Sequence, residues 1–177
     1  LYPLHKISTE NEIHKLRQIM EPLDSIHYTN TNITDIKLKN IDHRHNQEIY
    51  LDKDKRILYR LYIPKYYNKS LNVVIWFHGG GFVLGNIRDN DDVCNKISKE
   101  TNTIVVNVNY ALSPENKFPK AIYDSVDAVK WVYSNIHKYN GNKNSIYLAG
   151  ESAGGNLIIS IIPNLSIKIK GIISIYA

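Results

Sequence analysis

The segment "SIYLAGESAGGNLIISI", residues 145–161, decides the fold because it joins a strand to a helix through a glycine-rich turn. The pattern Gly150-Glu151-Ser152-Ala153-Gly154 lies at that junction. A sharp strand-to-helix turn holds a serine in strained backbone geometry, and Gly150 and Gly154 leave room for close approach. Substrates bind at the carboxyl ends of the strands in open α/β sheets. The pattern is weak by itself, but in this context it indicates a catalytic nucleophile at Ser152. The alternative is a small-residue turn that serves tight packing.

Strands and helices alternate around this segment. The predicted order is strand, helix, strand, helix, strand, helix, strand over residues 71–77, 90–100, 103–110, 119–139, 145–150, 153–163 and 170–177. Such alternation implies right-handed crossovers and a mostly parallel sheet. The sequence therefore predicts an α/β three-layer fold.

Three earlier segments complete the prediction. Residues 8–20 have helical spacing and end before Pro22, whereas residues 31–41 and 56–64 have the composition of strands. We expect these two strands to form an antiparallel edge. The last predicted strand has no helix after it, so we expect one face of the sheet to be bare and the fold to be incomplete at its C-terminus.

A run of glycines follows the buried strand, in "WFHGGGF" at residues 76–82. Consecutive glycines let backbone N–H groups face a ligand without obstruction from side chains. Acyl transfer needs such donors for its tetrahedral oxyanion. The expected donors are the N–H groups of Gly80 and Gly81, joined by that of Ala153. A phosphate-binding loop is the alternative, but no lysine follows at the required spacing.

His78 lies at the strand end beneath this loop. We expect it to order the loop by hydrogen bonding rather than to act as the catalytic base. His137, at the end of the long helix, is predicted to be a surface residue that stabilises the helix C-terminus.

Composition excludes several classes of protein. The net charge is +5, and the basic residues are scattered, which argues against nucleic-acid binding. The single cysteine, Cys94, permits no internal disulfide and no cysteine-based zinc site, and we expect it to be a buried structural thiol. No apolar stretch is long enough for a membrane span or a signal peptide, which predicts a cytoplasmic protein. Because the chain starts with Leu1, residues upstream are expected to be missing.

Three segments together resemble one family. "HGGGF", "NYALSPENKFPKAIYD" and "GESAGGNL" are similar to the ordered motifs of the hormone-sensitive-lipase group of α/β-hydrolases, which includes carboxylesterases and arylacetamide deacetylases. The resemblance covers about residues 55–177. The matches in the middle motif are Tyr110, Leu112, Pro114, Glu115, Phe118, Pro119 and Asp124. Ala111 and Ser113 depart from that motif conservatively, and Glu151 replaces the commoner aspartate.

The resemblance implies an α/β-hydrolase fold with Ser152 as the nucleophile and Gly80, Gly81 and Ala153 as oxyanion donors. The residues implied to support the motifs are His78, Gly79, Gly150, Glu151 and Gly154, and Glu115 and Asp124 are expected to be supporting groups. Residues 1–30 are implied to be a lid segment, and residues 31–177 the N-terminal portion of one hydrolase domain.

The resemblance also implies the order serine, acid, histidine along the chain, which places the acid and the histidine beyond Ala177. The seven histidines, His5, His14, His27, His43, His45, His78 and His137, all precede Ser152. We therefore expect a partial hydrolase whose own activity is impaired.

Two functions follow from the sequence. The first is a serine carboxylesterase or lipase-like hydrolase that acts on small ester substrates through an acyl-enzyme, without metal or cofactor. The second is a non-catalytic relative that binds small molecules, or an inactive truncated copy. The sequence leaves the oligomeric state open.

Overall fold

The structure, a computed structural model, describes residues 12–15, 47–52, 57–65, 67 and 69–177. Its strands are β1 (Gln47–Asp52), β2 (Ile57–Tyr62), β3 (Leu71–Phe77), β4 (Ile104–Asn109), β5 (Gly141–Glu151) and β6 (Gly171–Ile175). Its helices are α1 (Asp91–Thr101), α2 (Lys120–Asn135) and α3 (Ala153–Ile161), with short 3-10 helices at Ile136–Tyr139 and Ile162–Asn164. Residues 12–15 are also helical.

The strands form a six-stranded sheet in the order β1-β2-β4-β3-β5-β6. β3 pairs in parallel with both β4 and β5, and β6 pairs in parallel with β5. β1 and β2 pair antiparallel with each other, and β2 is antiparallel to β4. The predicted α/β fold with a mostly parallel sheet is confirmed. The antiparallel edge consists of residues 47–52 and 57–62, whereas the prediction paired residues 31–41 with 56–64, and residues 31–41 lie outside the described part of the chain.

Alternating side chains of the strands build two cores, one on each face of the sheet. Val73, Ile75 and Phe77 of β3 face the larger core, which contains the buried sides of α2 and α3. Trp76 faces the smaller core, together with Cys94 of α1. The helices therefore cover the sheet on both faces, which gives three layers. Cys94 is fully buried, as predicted, and burial raises the pKa of its thiol.

The structure departs most from the predicted elements at three places. The outer edge strand described here is residues 47–52, which the sequence did not predict because only Ile49 and Leu51 alternate within a short polar segment. β5 begins at Gly141, since polar residues 141–144 extend it beyond its apolar part. α2 ends at Asn135 and continues as a 3-10 turn, which closes at Asn140 in the left-handed conformation. The predicted strand at 31–41 and most of the predicted helix at 8–20 lie outside the described residues.

β6 is an exposed edge of the sheet in this chain. The side chains of Ile172, Ile173 and Ile175 are exposed, and so is Tyr176 after them. No helix in the described part of the chain is long and apolar enough to cross a membrane.

Candidate active site

Ser152 is the single residue between β5 and α3, and its backbone is strained. Its φ of 48° and ψ of −119° lie in a region that side-chain-bearing residues rarely adopt. Its N–H donates to the carbonyl oxygen of Ile175 at 2.8 Å, and its carbonyl oxygen accepts from the N–H of Asn156 at 2.9 Å. The strand-to-helix turn predicted from the sequence is therefore present, with Ser152 at its tip.

Gly150 and Gly154 are required because the end of β3 lies too close to the turn for a side chain at either position. A Cβ on Gly150 would lie 2.7 Å from the carbonyl oxygen of Phe77, and one on Gly154 only 2.0 Å from the same atom. Any side chain at these positions would push the turn away from the end of β3. The Gly-x-Ser-x-Gly spacing thus has a steric cause.

The glycine loop that follows β3 passes directly beside Ser152. A Cβ on Gly79 would lie 3.4 Å from the Cβ of Ser152. Gly80 has a φ of 115°, and its carbonyl oxygen accepts from the N–H of Leu84 at 2.8 Å. Gly81 has a φ of 60° and faces open space. The structure therefore brings the loop and the serine together, as the motifs predicted.

His78 lies inside the loop and is 1% exposed. Its Nδ1 donates to the carbonyl oxygen of Gly79 at 2.7 Å, and its ring stacks on Tyr110 with centroids 4.3 Å apart. Tyr110 donates its hydroxyl to the His78 carbonyl at 2.7 Å. Gly85 is also close to the imidazole, since a Cβ there would lie 2.5 Å from Nδ1. Burial lowers the pKa of His78. A neutral imidazole held in this way supports the glycine loop.

The middle motif packs behind the same loop. The N–H of Ser113 donates to the carbonyl oxygen of Phe82 at 2.9 Å. The buried carboxylate of Asp124 accepts from the N–H of Ala111 at 3.0 Å and pairs with Lys120. Asp124 thus fixes the segment that holds the loop.

Glu115 and His137 lie at the periphery. Nδ1 of His14 lies 3.5 Å from the carboxylate of Glu115, which places the helical residues 12–15 against the middle motif. His137 is exposed in the 3-10 turn after α2, where its carbonyl oxygen accepts from the N–H of Asn140 at 3.1 Å.

Glu151 has two side-chain partners that the sequence did not indicate. Its Oε1 accepts from Asn90 at 2.9 Å, and its Oε2 accepts from the hydroxyl of Tyr176 at 2.5 Å. Partial burial acts to raise the pKa of Glu151, but hydrogen bonds from Tyr176, Asn90 and the N–H of Gly79 outweigh it and lower the pKa. The sequence did carry a signal for Tyr176, because it follows the strand that pairs with β5, at the end of which Glu151 lies.

No group of three or more His, Cys, Asp or Glu in the described part of the chain is placed to hold a metal ion. The site consists of a strained serine beside a glycine loop. The backbone of this loop is not covered by side chains at Gly81. Such an arrangement suits attack on a carbonyl and stabilisation of the resulting oxyanion.

Comparisons with known proteins agree with this architecture. A family model described as "alpha/beta hydrolase fold" matches residues 74–177. The chain is 40% identical over 98 residues to carboxylesterase NlhH of Mycobacterium tuberculosis, covering 55% of this chain and 31% of the relative. It is 38% identical over 107 residues to an arylesterase of Saccharolobus solfataricus, covering 60% of this chain and 34% of the relative. The chain therefore spans about a third of the length of these curated relatives.

A solved structure of a hyperthermophilic esterase from the archaeon Pyrobaculum calidifontis matches with a TM-score of 0.63 at 36% identity, over 73% of this chain and 42% of the esterase. The matched residues 74–177 contain the glycine loop, the middle motif and the Ser152 turn. The chain belongs to the family with the α/β-hydrolase fold, in its hormone-sensitive-lipase-like group.

Proposed function

We propose that this chain carries the attacking half of a serine carboxylesterase or lipase-like hydrolase. Ser152 is the nucleophile, and the N–H groups of Gly80, Gly81 and Ala153 are the oxyanion donors. The observation that carries the proposal is the strained turn of Ser152, which lies so close to the glycine loop that a Cβ on Gly79 would be 3.4 Å from the Ser152 Cβ. Two catalytic elements that lie 70 residues or so apart along the chain are therefore neighbours in space.

The proposed reaction is acyl transfer from an ester to Ser152. The hydroxyl oxygen attacks the ester carbonyl, its proton passes to a base, and the carbonyl oxygen becomes an oxyanion held by the backbone N–H groups. Collapse of this intermediate releases the alcohol, which takes up a proton, and leaves an acyl-serine. Water then attacks the acyl-serine and releases the acid.

The base and its orienting acid are proposed to come from polypeptide outside these 177 residues. No histidine follows Ser152 in the sequence. His78 is buried, and its Nδ1 proton is bound to the carbonyl of Gly79. The chain spans only about a third of the length of the curated relatives, which supports the same proposal. For this chain alone we expect activity reduced by several orders of magnitude, as occurs when a triad member is removed.

The proposed substrates are small carboxylic esters, a class suggested by the names of the carboxylesterase and arylesterase relatives.

We also propose that residues 1–30 form a lid segment over a domain that begins near residue 31. The contact between His14 and Glu115 supports this, because it places part of that segment beside the middle motif. A cytoplasmic location is proposed as well, and it is compatible with a chain whose single cysteine needs no oxidising compartment.

Chemical rescue tests the proposal. Hydrolysis of a short-chain nitrophenyl ester is measured with and without added imidazole for the wild type, for Ser152→Ala, and for Ser160→Ala on the following helix as the matched control. We expect imidazole to raise the rate of the wild type and of Ser160→Ala above that of Ser152→Ala, because a free base replaces the missing one. Equal rates for all three proteins would refute esterase chemistry at Ser152.

A binding function is the second candidate, and the position of His78 favours it. His78 is committed to the glycine loop and does not serve as a base, which supports a chain that would bind an ester without hydrolysing it. Calorimetry with a trifluoromethyl ketone and with its non-electrophilic methyl analogue separates the outcomes. Equal affinities of the wild type and Ser152→Ala for both compounds, without hydrolysis, would establish a binding module. Absence of both binding and hydrolysis would indicate an inactive copy.

A further inference from the structure

The carboxylate of Glu151 joins three separate segments around Ser152. The N–H of Gly79, in the loop after β3, lies close enough to the carboxylate to lower its pKa. Asn90, directly before α1, donates to Oε1 at 2.9 Å, and Tyr176, directly after β6, donates to Oε2 at 2.5 Å. Hydrogen bonds to an ionised acceptor are about twice as strong as those between neutral groups. The Glu151 side chain thus lies between the loop after β3, the residue before α1 and the residue after β6.

The same side chain also packs against the glycine loop. A Cβ on Gly79 would lie 3.3 Å from Cγ of Glu151 and 3.4 Å from Cβ of Ser152. The loop therefore has two neighbours on this side, the proposed nucleophile and the residue that precedes it. A shift of the Glu151 side chain would move the N–H groups that follow Gly79.

We infer that Glu151 is a positioning residue, whose carboxylate holds the glycine loop at the distance from Ser152 that oxyanion binding requires. This inference rests on the proposed function for its catalytic consequence, but the mechanical link between Glu151 and the loop can be measured without catalysis. Tyr176 and Asn90 act on the loop through Glu151.

Four other titratable groups face Glu151. They are His78 at the end of β3, Tyr110 after β4, Cys94 of α1 and Tyr176 after β6. The pKa of His78 is lowered by burial, and Asp89 and Glu151 act in the opposite direction. The pKa values of Tyr110 and Cys94 are raised by burial, and that of Tyr176 is raised by its hydrogen bond to Glu151, so these three groups remain neutral.

The pH dependence of the loop follows from the lowered pKa of Glu151. A carboxylate with a lowered pKa in the folded state stabilises that state above its unfolded pKa. Its contribution declines as the pH falls below about 4.3 and is lost through the folded pKa. The loop is therefore expected to open when Glu151 is protonated.

Hydrogen exchange of the amides of Val83 and Leu84, which donate to the Gly80 carbonyl within the glycine loop, tests the inference on the full 177-residue chain. The variants are Glu151→Gln, Glu151→Asp, Tyr176→Phe and the double variant Glu151→Gln/Tyr176→Phe. Glu100→Gln, on the exposed side of α1, is the matched control. The observed rates are corrected for intrinsic chemical exchange at each pH.

We expect Glu151→Gln to accelerate exchange of these amides about tenfold, which corresponds to one hydrogen bond to a charged group. Glu151→Asp, which keeps the charge, should restore part of the protection. Tyr176→Phe should accelerate exchange in the wild type and have no further effect in the Glu151→Gln background. Protection in the wild type should fall with Glu151 protonation, and the fall over that pH range should be smaller in Glu151→Gln.

Wild-type exchange rates in Glu151→Gln, or additive effects of the two substitutions, would overturn the inference. Tyr176→Phe keeps the ring of an exposed residue, so it provides the test even if Glu151→Gln does not fold. Labelling of Ser152 by a fluorophosphonate is measured in parallel. An unlabelled serine with an exchange response to Glu151 contradicts only the proposed function. A labelled serine without that response contradicts only the positioning role.

Discussion

The carbonyl oxygen of Phe77 occupies the position that a side chain on Gly154 would need, 2.0 Å from where its Cβ would lie. Phe77 ends β3, from which the glycine loop emerges, and Gly154 lies in the first turn of α3, which follows Ser152. This contact brings the loop and the serine together, because the two backbones touch without an intervening side chain.

Gly154→Ala should therefore separate the loop from the serine. The added methyl group meets backbone atoms, which cannot rotate away, so we expect a loss of about 2 kcal/mol or more in the free energy of unfolding. Urea denaturation measures it. Gly171→Ala is the matched control, since its Cβ would meet the side chain of Tyr147 at 3.2 Å rather than backbone. Equal midpoints for the two variants would contradict the steric argument.

Asp124→Asn should destabilise the middle motif. The buried carboxylate accepts from the N–H of Ala111 and pairs with Lys120, and the amide removes the negative charge. We expect a loss of about 2 kcal/mol in the free energy of unfolding, typical for a buried hydrogen-bonded charge. Asp127→Asn, three residues later in the same helix and 3.9 Å from Lys130, should change stability much less. A larger effect at Asp127 would show that the role assigned to Asp124 is wrong.

His78 should remain neutral at the pH of the ordinary histidine pKa. Burial lowers the pKa of His78, and its Nδ1 carries the proton that is donated to Gly79. Nitrogen chemical shifts from NMR report both properties. We expect the Nδ1-protonated tautomer, without titration near the ordinary histidine pKa of about 6.5. Protonation on Nε2, or a midpoint near the ordinary histidine value, would contradict the assigned contacts.

The lowered pKa of His78 also predicts that the folded state loses stability in acid. A histidine whose pKa is lowered in the folded state stabilises that state above the unfolded pKa, and this contribution is lost as the pH falls through the folded value. The midpoint of urea unfolding should therefore fall more steeply below pH about 6.5 in the wild type than in His78→Gln. Parallel pH profiles for the two proteins would exclude His78 as a source of the dependence.

The sequence predicts the parallel part of the fold well and the edges poorly. β3 has the bounds that its apolar run predicts, since a strand buried on both faces needs no alternation. β1 was missed because an edge strand carries a weak pattern of two apolar residues. The positions of Ser152 and Gly79 follow from motifs at the ends of two neighbouring strands. Asn90 and Tyr176 were missed because their contact with Glu151 depends on which loops the strand order brings together.

The central claim is that the turn and the glycine loop make Ser152 a preorganised nucleophile. Reaction of the chain with a fluorophosphonate, followed by mapping of the adduct by mass spectrometry, tests it most directly. We predict slow labelling that is confined to the peptide containing Ser152, is accelerated by imidazole and is abolished in Ser152→Ala. Labelling spread over several serines at similar rates, or none on Ser152 with imidazole present, would contradict the claim.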